Sequence, residues 1–255
     1  MLTLMKQEYY KALKQNKLYI WLGLGVLVPI LVMGVFKSQR GVGSVSDLGH
    51  ATFYVYLAGI IITALSVSQE FGFGTIRPLL SRRFSRGMIF TSKLLLNLSV
   101  YIALFIAALV GTLIGQLIFA PNLDFSTRAS YAGNVWQTIG ITILGTMFQM
   151  IFVAALVLLI TNLVKSSGAA IGLGVVMIVG TPILSSISMM LIELAPVLKW
   201  NPFNIFIGMA MYGQVAPSSF KDIVHMSQGT VIIAYLVYVI VMYGIAYLIF
   251  KKRSV

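Results

Sequence analysis

"QEFGFGTIRPLLSRRFSRGMIFTSK", Gln69 to Lys93, lies between two long apolar runs. It gathers Arg77, Arg82, Arg83, Arg86 and Lys93 around one acid, Glu70. A soluble protein has many such basic segments; this chain has few, because it is 59% hydrophobic and only 9% charged, with a mean hydropathy of +0.96. Soluble domains are nearer 45–50% apolar and about 25% charged. So apolar a chain lacks the polar side chains to cover a water-facing surface, and its solvent is lipid.

Outward from this segment, six apolar runs reach the roughly 20 residues that cross about 30 Å of hydrocarbon. They span 18–36, 51–68, 94–119, 137–160, 168–192 and 229–250, and none contains Asp, Glu, Lys or Arg. The fold class expected is an all-α polytopic membrane protein with six transmembrane helices, a single unit over 1–255. The third run exceeds what a crossing needs, which predicts tilt or projection beyond the lipid.

The formal net charge of +12 would point to nucleic acid in a soluble chain, but here the charges sit in short loops between the runs. No nucleic-acid partner is expected. Lys6, Lys11, Lys14 and Lys17 precede the first run; the five basic residues above follow the second. Lys165 follows the fourth, and Lys251, Lys252 and Arg253 follow the sixth. Six crossings put all of these on one side, which the positive-inside rule makes cytoplasmic, with both termini. The other side holds Lys37, Arg40, Arg128, Lys199 and Lys221, offset by Asp47, Asp124, Glu193 and Asp222.

Residues 1–17, "MLTLMKQEYYKALKQNK", alternate at helical period: Leu2, Met5, Tyr9, Ala12 and Leu13 share a face, Gln7, Glu8, Lys11 and Gln15 lie opposite, and Leu4 is off pattern. They read as an interfacial connecting helix whose lysines reach headgroups, or as a solvated basic tail that only enforces topology. The segment 193–228 is too apolar for a free loop and too interrupted by Pro196, Pro202 and Gly208 for another crossing. It reads as short helices lying at or dipping into the outer interface, with Trp200 and Tyr212 at headgroup level, or as an outer lid that only packs. Pro29 and Pro182 should kink their runs. Gly111-x-x-x-Gly115 and Gly168-x-x-x-Gly172 are patches where helices can approach closely.

Function must be found without chemistry inside the runs. No ionisable group lies within them, no phosphate-binding loop or metalloprotease motif occurs, and His50 and His225 lack partners at metal-ligand spacing. No cofactor or metal is expected on this chain. Asn97, Gln116 and Gln149 either line a substrate path or satisfy one another between helices. In the basic segment, Thr75 reads as an N-cap and Pro78 fits a first turn, starting a helix over 75–86. Ile76, Leu80 and Phe84 line one face, with Phe73 just before the cap. A short helix of this kind lies on anionic headgroups or seats in a groove of a soluble partner.

Glu70, Gly74-Thr75, Leu79-Leu80, Ser85-Arg86 and Lys93 together resemble the signature of the ATP-binding-cassette type-2 permease family, although this chain has "SRRFSR" where many members carry Pro before the Ser-Arg pair. The resemblance implies a coupling helix over 75–86, between spans two and three, docked on a separate ATPase. Glu70, Gly74 and Thr75 would shape the segment. Phe73, Ile76, Leu80 and Phe84 would dock, and Arg77, Arg82, Arg83 and Arg86 would make rim contacts or only set topology. It further implies two permease copies with two ATPase copies, the ATPase holding ATP and Mg, in a bacterial cytoplasmic membrane. The cargo would be an amphipathic peptide, as in lantibiotic-immunity, bacitracin-resistance and cytolytic-peptide systems, with lipid or hydrophobic drug as other candidates. A membrane scaffold or channel with no energy source is the competing expectation.

Overall fold

The computed structural model describes residues 2–14, 17–72, 84–164 and 166–252. It is almost entirely helical. In chain order these are α1 (Leu2–Lys14), α2 (Lys17–Val35), α3 (Val42–Ser46), α4 (Ala51–Gly72), α5 (Arg86–Phe119), α6 (Val135–Val164), α7 (Ser167–Val179), α8 (Thr181–Leu194), α9 (Pro202–Met211), α10 (Pro217–Val224) and α11 (Gln228–Lys252). A small antiparallel pair, β1 (Arg128–Ser130) with β2 (Gly133–Asn134), joins α5 to α6. One end of the bundle, here the terminus end, holds α1, the start of α5 and the end of α11. The opposite, loop end holds α3, the strand pair, α9 and α10.

Among the described residues, five helices are long and apolar enough to cross a membrane: Leu18–Val35, Leu48–Gln69, Arg86–Phe119, Val135–Leu163 and Gln228–Lys252. The protein is a polytopic, membrane-embedded α-helical protein. Large apolar side chains such as Ile20, Leu31, Leu117, Val237 and Ile240 point outward, as a lipid-facing surface requires.

The expected continuous span over 168–192 is instead two helices, α7 of 13 and α8 of 14 residues. Proline supplies the reason. Pro182 stands in the first turn of α8 and has no N–H to continue the ladder from α7, so the chain turns at Gly180 and starts afresh. The third span also begins earlier than 94. Ser85 adopts an extended backbone and its hydroxyl accepts from the Met88 N–H at 3.2 Å, an N-cap that starts α5 at Arg86. At 34 residues, α5 rises about 51 Å.

Association between helices in lipid comes from close packing and hydrogen bonds, since lipid tails are as apolar as leucine. The α2–α5 contact illustrates the first. A Cβ on Gly111 would lie 2.2 Å from the Val26 carbonyl oxygen, and one on Gly115 would lie 3.0 Å from the Met33 sulfur. The other patch packs differently: nothing lies within 4 Å of a Cβ on Gly172, and it is Gly174 whose Cβ would meet Ile60 at 2.8 Å. Hydrogen bonds hold α11 to α6, where the Tyr235 hydroxyl donates to the Phe148 carbonyl at 2.9 Å and Tyr243 to Ile151 at 3.0 Å.

The 193–228 segment contains short helices, as its composition implies, but α9 does not lie flat on a surface. Ile205, Phe206 and Met209 are buried in a cluster with Phe152 of α6 and Val231 and Tyr235 of α11. Asn201 caps α9 by accepting from the Asn204 N–H at 2.9 Å, and the Asn204 amide donates to the Lys199 and Val224 carbonyls. Trp200 and Tyr212 remain exposed.

The orientation of α1 departs from its sequence pattern. Leu4 and Glu8 are buried, whereas Tyr9 and Leu13 are exposed. Of the stripe counted from sequence, Tyr9 and Leu13 face outward while Ala12 packs on the core, and the Glu8 ion pair draws the neighbouring face in.

Candidate functional site

Polar side chains collect in two places, one at each end of the bundle, and α4 runs between them. At the loop end, the 3₁₀ turn Leu48–His50 has positive φ at Leu48, Gly49 and His50. Glycine is required at the middle position: a Cβ there would meet the Pro29 Cβ at 2.7 Å and its Cα at 3.2 Å. The turn is thereby pinned on α2, which leaves Asp47 at the rim of a cavity of about 370 Å³ between α3, α4, α6 and α9.

Asp47 accepts from the Thr52 hydroxyl at 3.0 Å and lies 3.1 Å from His50 Nδ1. Burial pushes its carboxyl above the ordinary value, against the opposing pull of the Thr52 hydrogen bond and of His50. Thr142 and Gln214 line the wall, joined by a hydrogen bond of 3.1 Å. At the floor the Tyr56 hydroxyl donates to Gln149 Oε1, and Gln149 Nε2 donates to the Phe206 carbonyl of α9 at 3.2 Å. Ser46 is buried on the wall, and its hydroxyl finds no partner among the described residues.

Below this floor the packing is tight and largely apolar. Tyr56, Gly59, Ile60, Tyr101, Met150 and Val153 surround a void of about 10 Å³, too small for more than one water. Met150 reaches across to α4 at Gly59, where a Cβ would lie 2.2 Å from its terminal methyl. Deeper still, Thr63 and Tyr101 share a hydrogen bond, and Asn97 Nδ2 donates to the Ser66 hydroxyl at 3.3 Å. Thr52, Tyr56, Thr63 and Ser66 fall on one face of α4 by helical spacing.

At the terminus end a second cavity, about 110 Å³, is lined by Ser66, Gln69, Glu8 and Lys93 on its polar side and by Trp21 and Leu96 on its apolar side. Lys93 Nζ donates to Glu8 Oε2 at 2.9 Å, with both residues almost fully buried, and Lys11 Nζ donates to Glu8 Oε1 at 2.9 Å. An ionisable pair therefore lies within the helical body, outside the apolar runs, which themselves hold no Asp, Glu, Lys or Arg. It sits two turns into α5, ahead of the 94–119 stretch. The pair ties the first helix of the chain to the third membrane-length helix.

Several residues singled out from sequence find other work. Arg86 donates to the Phe250 and Lys251 carbonyls at 3.3 and 2.8 Å, capping α11, and Phe84 packs beside Met88 and Tyr247. Arg40 likewise donates to the Met33 and Gly34 carbonyls at 2.7 and 3.0 Å at the end of α2, over the Phe119 ring. Glu70 falls in the last turn of α4. Phe73, Gly74, Thr75, Ile76, Arg77, Leu80, Arg82 and Arg83 lie outside the described residues. Of the three amides, only Gln149 lines the loop-end cavity. Gln116 Nε2 donates to the Ala120 carbonyl at the end of its own helix, and Asn97 serves the α4–α5 contact, its Oδ1 finding no partner among the described residues.

Sequence reasoning passed over Asp47, Tyr56 and Glu8. The one-sided spacing of Thr52, Tyr56, Thr63 and Ser66 in an apolar run was the available signal for the α4 face. Among the described residues, no three His, Cys, Asp or Glu side chains gather as metal ligands would.

A family model described as protein of unknown function (DUF2705) matches residues 18–255. The chain belongs to that family. No curated protein matches the sequence. The match overturns the resemblance to type-2 permeases: the DUF2705 model covers nearly the whole chain, and no permease family model matches it. The permease-like signature spans only Glu70 to Lys93, and its components are what any basic, amphipathic loop between two spans contains. Arginines between two spans are what topology alone requires, and Ser-Arg starts the next span. Such a pattern recurs without common descent. In the DUF2705 chain, Ser85-Arg86 is accounted for by the cap of α5 and the closure of α11.

Proposed function

We propose that the chain is a transport subunit of the cytoplasmic membrane, moving amphipathic, peptide-like or lipid-like cargo outward. In this reading it has no motor of its own and draws energy from a separate nucleotide-hydrolysing chain. Both termini face the cytoplasm, following the positive charge at the terminus end, and the loop-end cavity opens to the outside.

The observation that carries the reading is the polar–apolar–polar order along α4. A polar vestibule of about 370 Å³ stops at Tyr56 and Gln149, and a tight apolar plug at Gly59 and Met150 follows. Polar groups resume at Thr63 and Ser66 and end in the Glu8–Lys93 cavity. A structural scaffold needs none of this, since polar groups at membrane depth are costly and cluster where something polar is handled. An occluded transporter needs all of it: two aqueous compartments and a narrow apolar barrier between them. The barrier rests on one flexible side chain, which a small repacking displaces.

The test uses Met150→Gly, with Met150→Leu as the volume-conserving control. Liposomes carrying purified wild-type chain should retain entrapped choline, those with Met150→Gly should release it several-fold faster, and Met150→Leu should behave as wild type. Inside-out vesicles from expressing cells should accumulate a fluorescent amphipathic peptide only when ATP is added. Equal choline retention by all three proteins removes the barrier, and peptide accumulation by the purified chain without nucleotide removes the borrowed motor.

A further inference from the structure

The loop-end cavity has a charge bias that runs against the rest of the protein. The chain carries 18 Lys and Arg against six Asp and Glu, yet among the described residues Asp47 lines this cavity and no Lys or Arg does. Arg128 is next in sequence to two lining residues, Ala129 and Ser130, but its guanidinium turns back to the Ser130 carbonyl at 3.5 Å. In so basic a molecule, a pocket that keeps one acid and excludes every strong base selects for positive charge.

From this we propose that the vestibule is a binding site for an alkylammonium group, with Asp47 as its counter-ion. Three further features fit that ligand and not others. An ammonium carries hydrogen-bond donors only, so it needs acceptors. The Asp47 carboxylate still has 41% of its side chain exposed despite Thr52 and His50, and the buried Ser46 hydroxyl beside it has no partner among the described residues. Tyr56 at the floor and the Thr142 and Gln149 oxygens supply further acceptor surface. A divalent metal is disfavoured, because Asp47 and its neighbour His50 are joined by no third ligand residue. The cavity volume of about 370 Å³ also exceeds what a bare ion fills and suits an organic ammonium with bound water. On the transport reading this site would be the last polar contact of a cationic amphipathic cargo, but the site itself stands without that reading.

The chain has no cysteine, so a single introduced thiol reports cleanly. Thr142→Cys places it on the cavity wall. Membranes made permeable to reagents from both sides are treated with a cationic thiosulfonate (trimethylammonium-ethyl) and an anionic one (sulfonato-ethyl). Each rate is divided by the same reagent's rate with 2-mercaptoethanol. The cationic reagent should be favoured by about tenfold, the size of a nearby unscreened charge at low salt. Adding Asp47→Asn should bring the ratio to one, Asp47→Glu should retain it, and butylammonium, unlike butyrate, should slow modification. A ratio of one in Thr142→Cys itself, or a preference that survives Asp47→Asn, overturns the proposal. In sealed cells, modification from the outside tests the outward orientation separately. Its failure would remove the transport topology and leave the charge preference measured in open membranes intact.

Discussion

Removing the charge of Glu8 isolates the interaction that fixes the first helix. Glu8→Gln keeps the shape of the side chain and leaves Lys93, only 2% exposed, facing a neutral amide. Breaking a buried pair by neutralising one partner costs about 3–5 kcal/mol, because the remaining charge stays desolvated. The Lys11 contact adds little, since its side chain is 39% exposed and such pairs contribute under about 1 kcal/mol. About 3 kcal/mol lowers the folded-to-unfolded ratio more than a hundredfold. The double variant Glu8→Gln/Lys93→Met removes both charges, and an apolar replacement of a buried pair is close to neutral, so it should recover to within about 1 kcal/mol of wild type. Equilibrium unfolding in lipid nanodiscs measures all three proteins, and limited proteolysis of residues 1–17 reports whether α1 has left the bundle. A Glu8→Gln cost below about 1 kcal/mol, or a double variant no more stable than Glu8→Gln, would refute the reasoning.

Three further outcomes are expected. Gly111→Ala should separate α2 from α5 and cost more than about 2 kcal/mol, because its methyl would sit 2.2 Å from rigid backbone, whereas Gly172→Ala meets nothing within 4 Å and should be neutral by the same unfolding measurement. Arg40→Ala leaves two carbonyls at the end of α2 without their charged donor, and a loss on the order of 2 kcal/mol should appear as a lower thermal midpoint. Acid should weaken cation selection in the vestibule: burial holds the Asp47 carboxyl above its ordinary value, so as pH falls through that raised value the carboxylate is neutralised. The stability contribution runs the other way. A raised carboxyl stabilises the fold most fully below 3.8 and loses that contribution as pH rises through the folded value, so Asp47→Asn should flatten this part of a pH–stability curve.

Much of the architecture was legible from residue type alone. Hydropathy counted along the chain marks where helices of membrane length occur, since partition between water and lipid depends on each segment's own composition. Five of the six runs appear as single long helices, and the sixth is divided where Pro182 interrupts the ladder, a position the sequence already flagged. The Gly111-x-x-x-Gly115 patch likewise marks a real close approach, while Gly168-x-x-x-Gly172 looks the same in sequence and, among the described residues, meets only the nearby Ser166 hydroxyl at 3.8 Å. Spacing says that a groove exists on a helix, not which neighbour fills it.

Pairings between distant segments were decided only in three dimensions. Glu8 and Lys93 are 85 residues apart, and nothing local distinguishes them from the solvated charges around them; their mutual burial turns α1 over, so that Leu4 faces inward and Tyr9 outward. Tyr56 and Gln149 come from different helices, and Asp47 stands in a loop, so the vestibule exists only once α3, α4, α6 and α9 are assembled. Composition thus determined the solvent this protein lives in and the number of apolar runs it offers. The tertiary structure decided which polar groups share a cavity, because desolvation makes each buried polar or charged group find a partner, and that partner is set by packing and not by proximity in the chain.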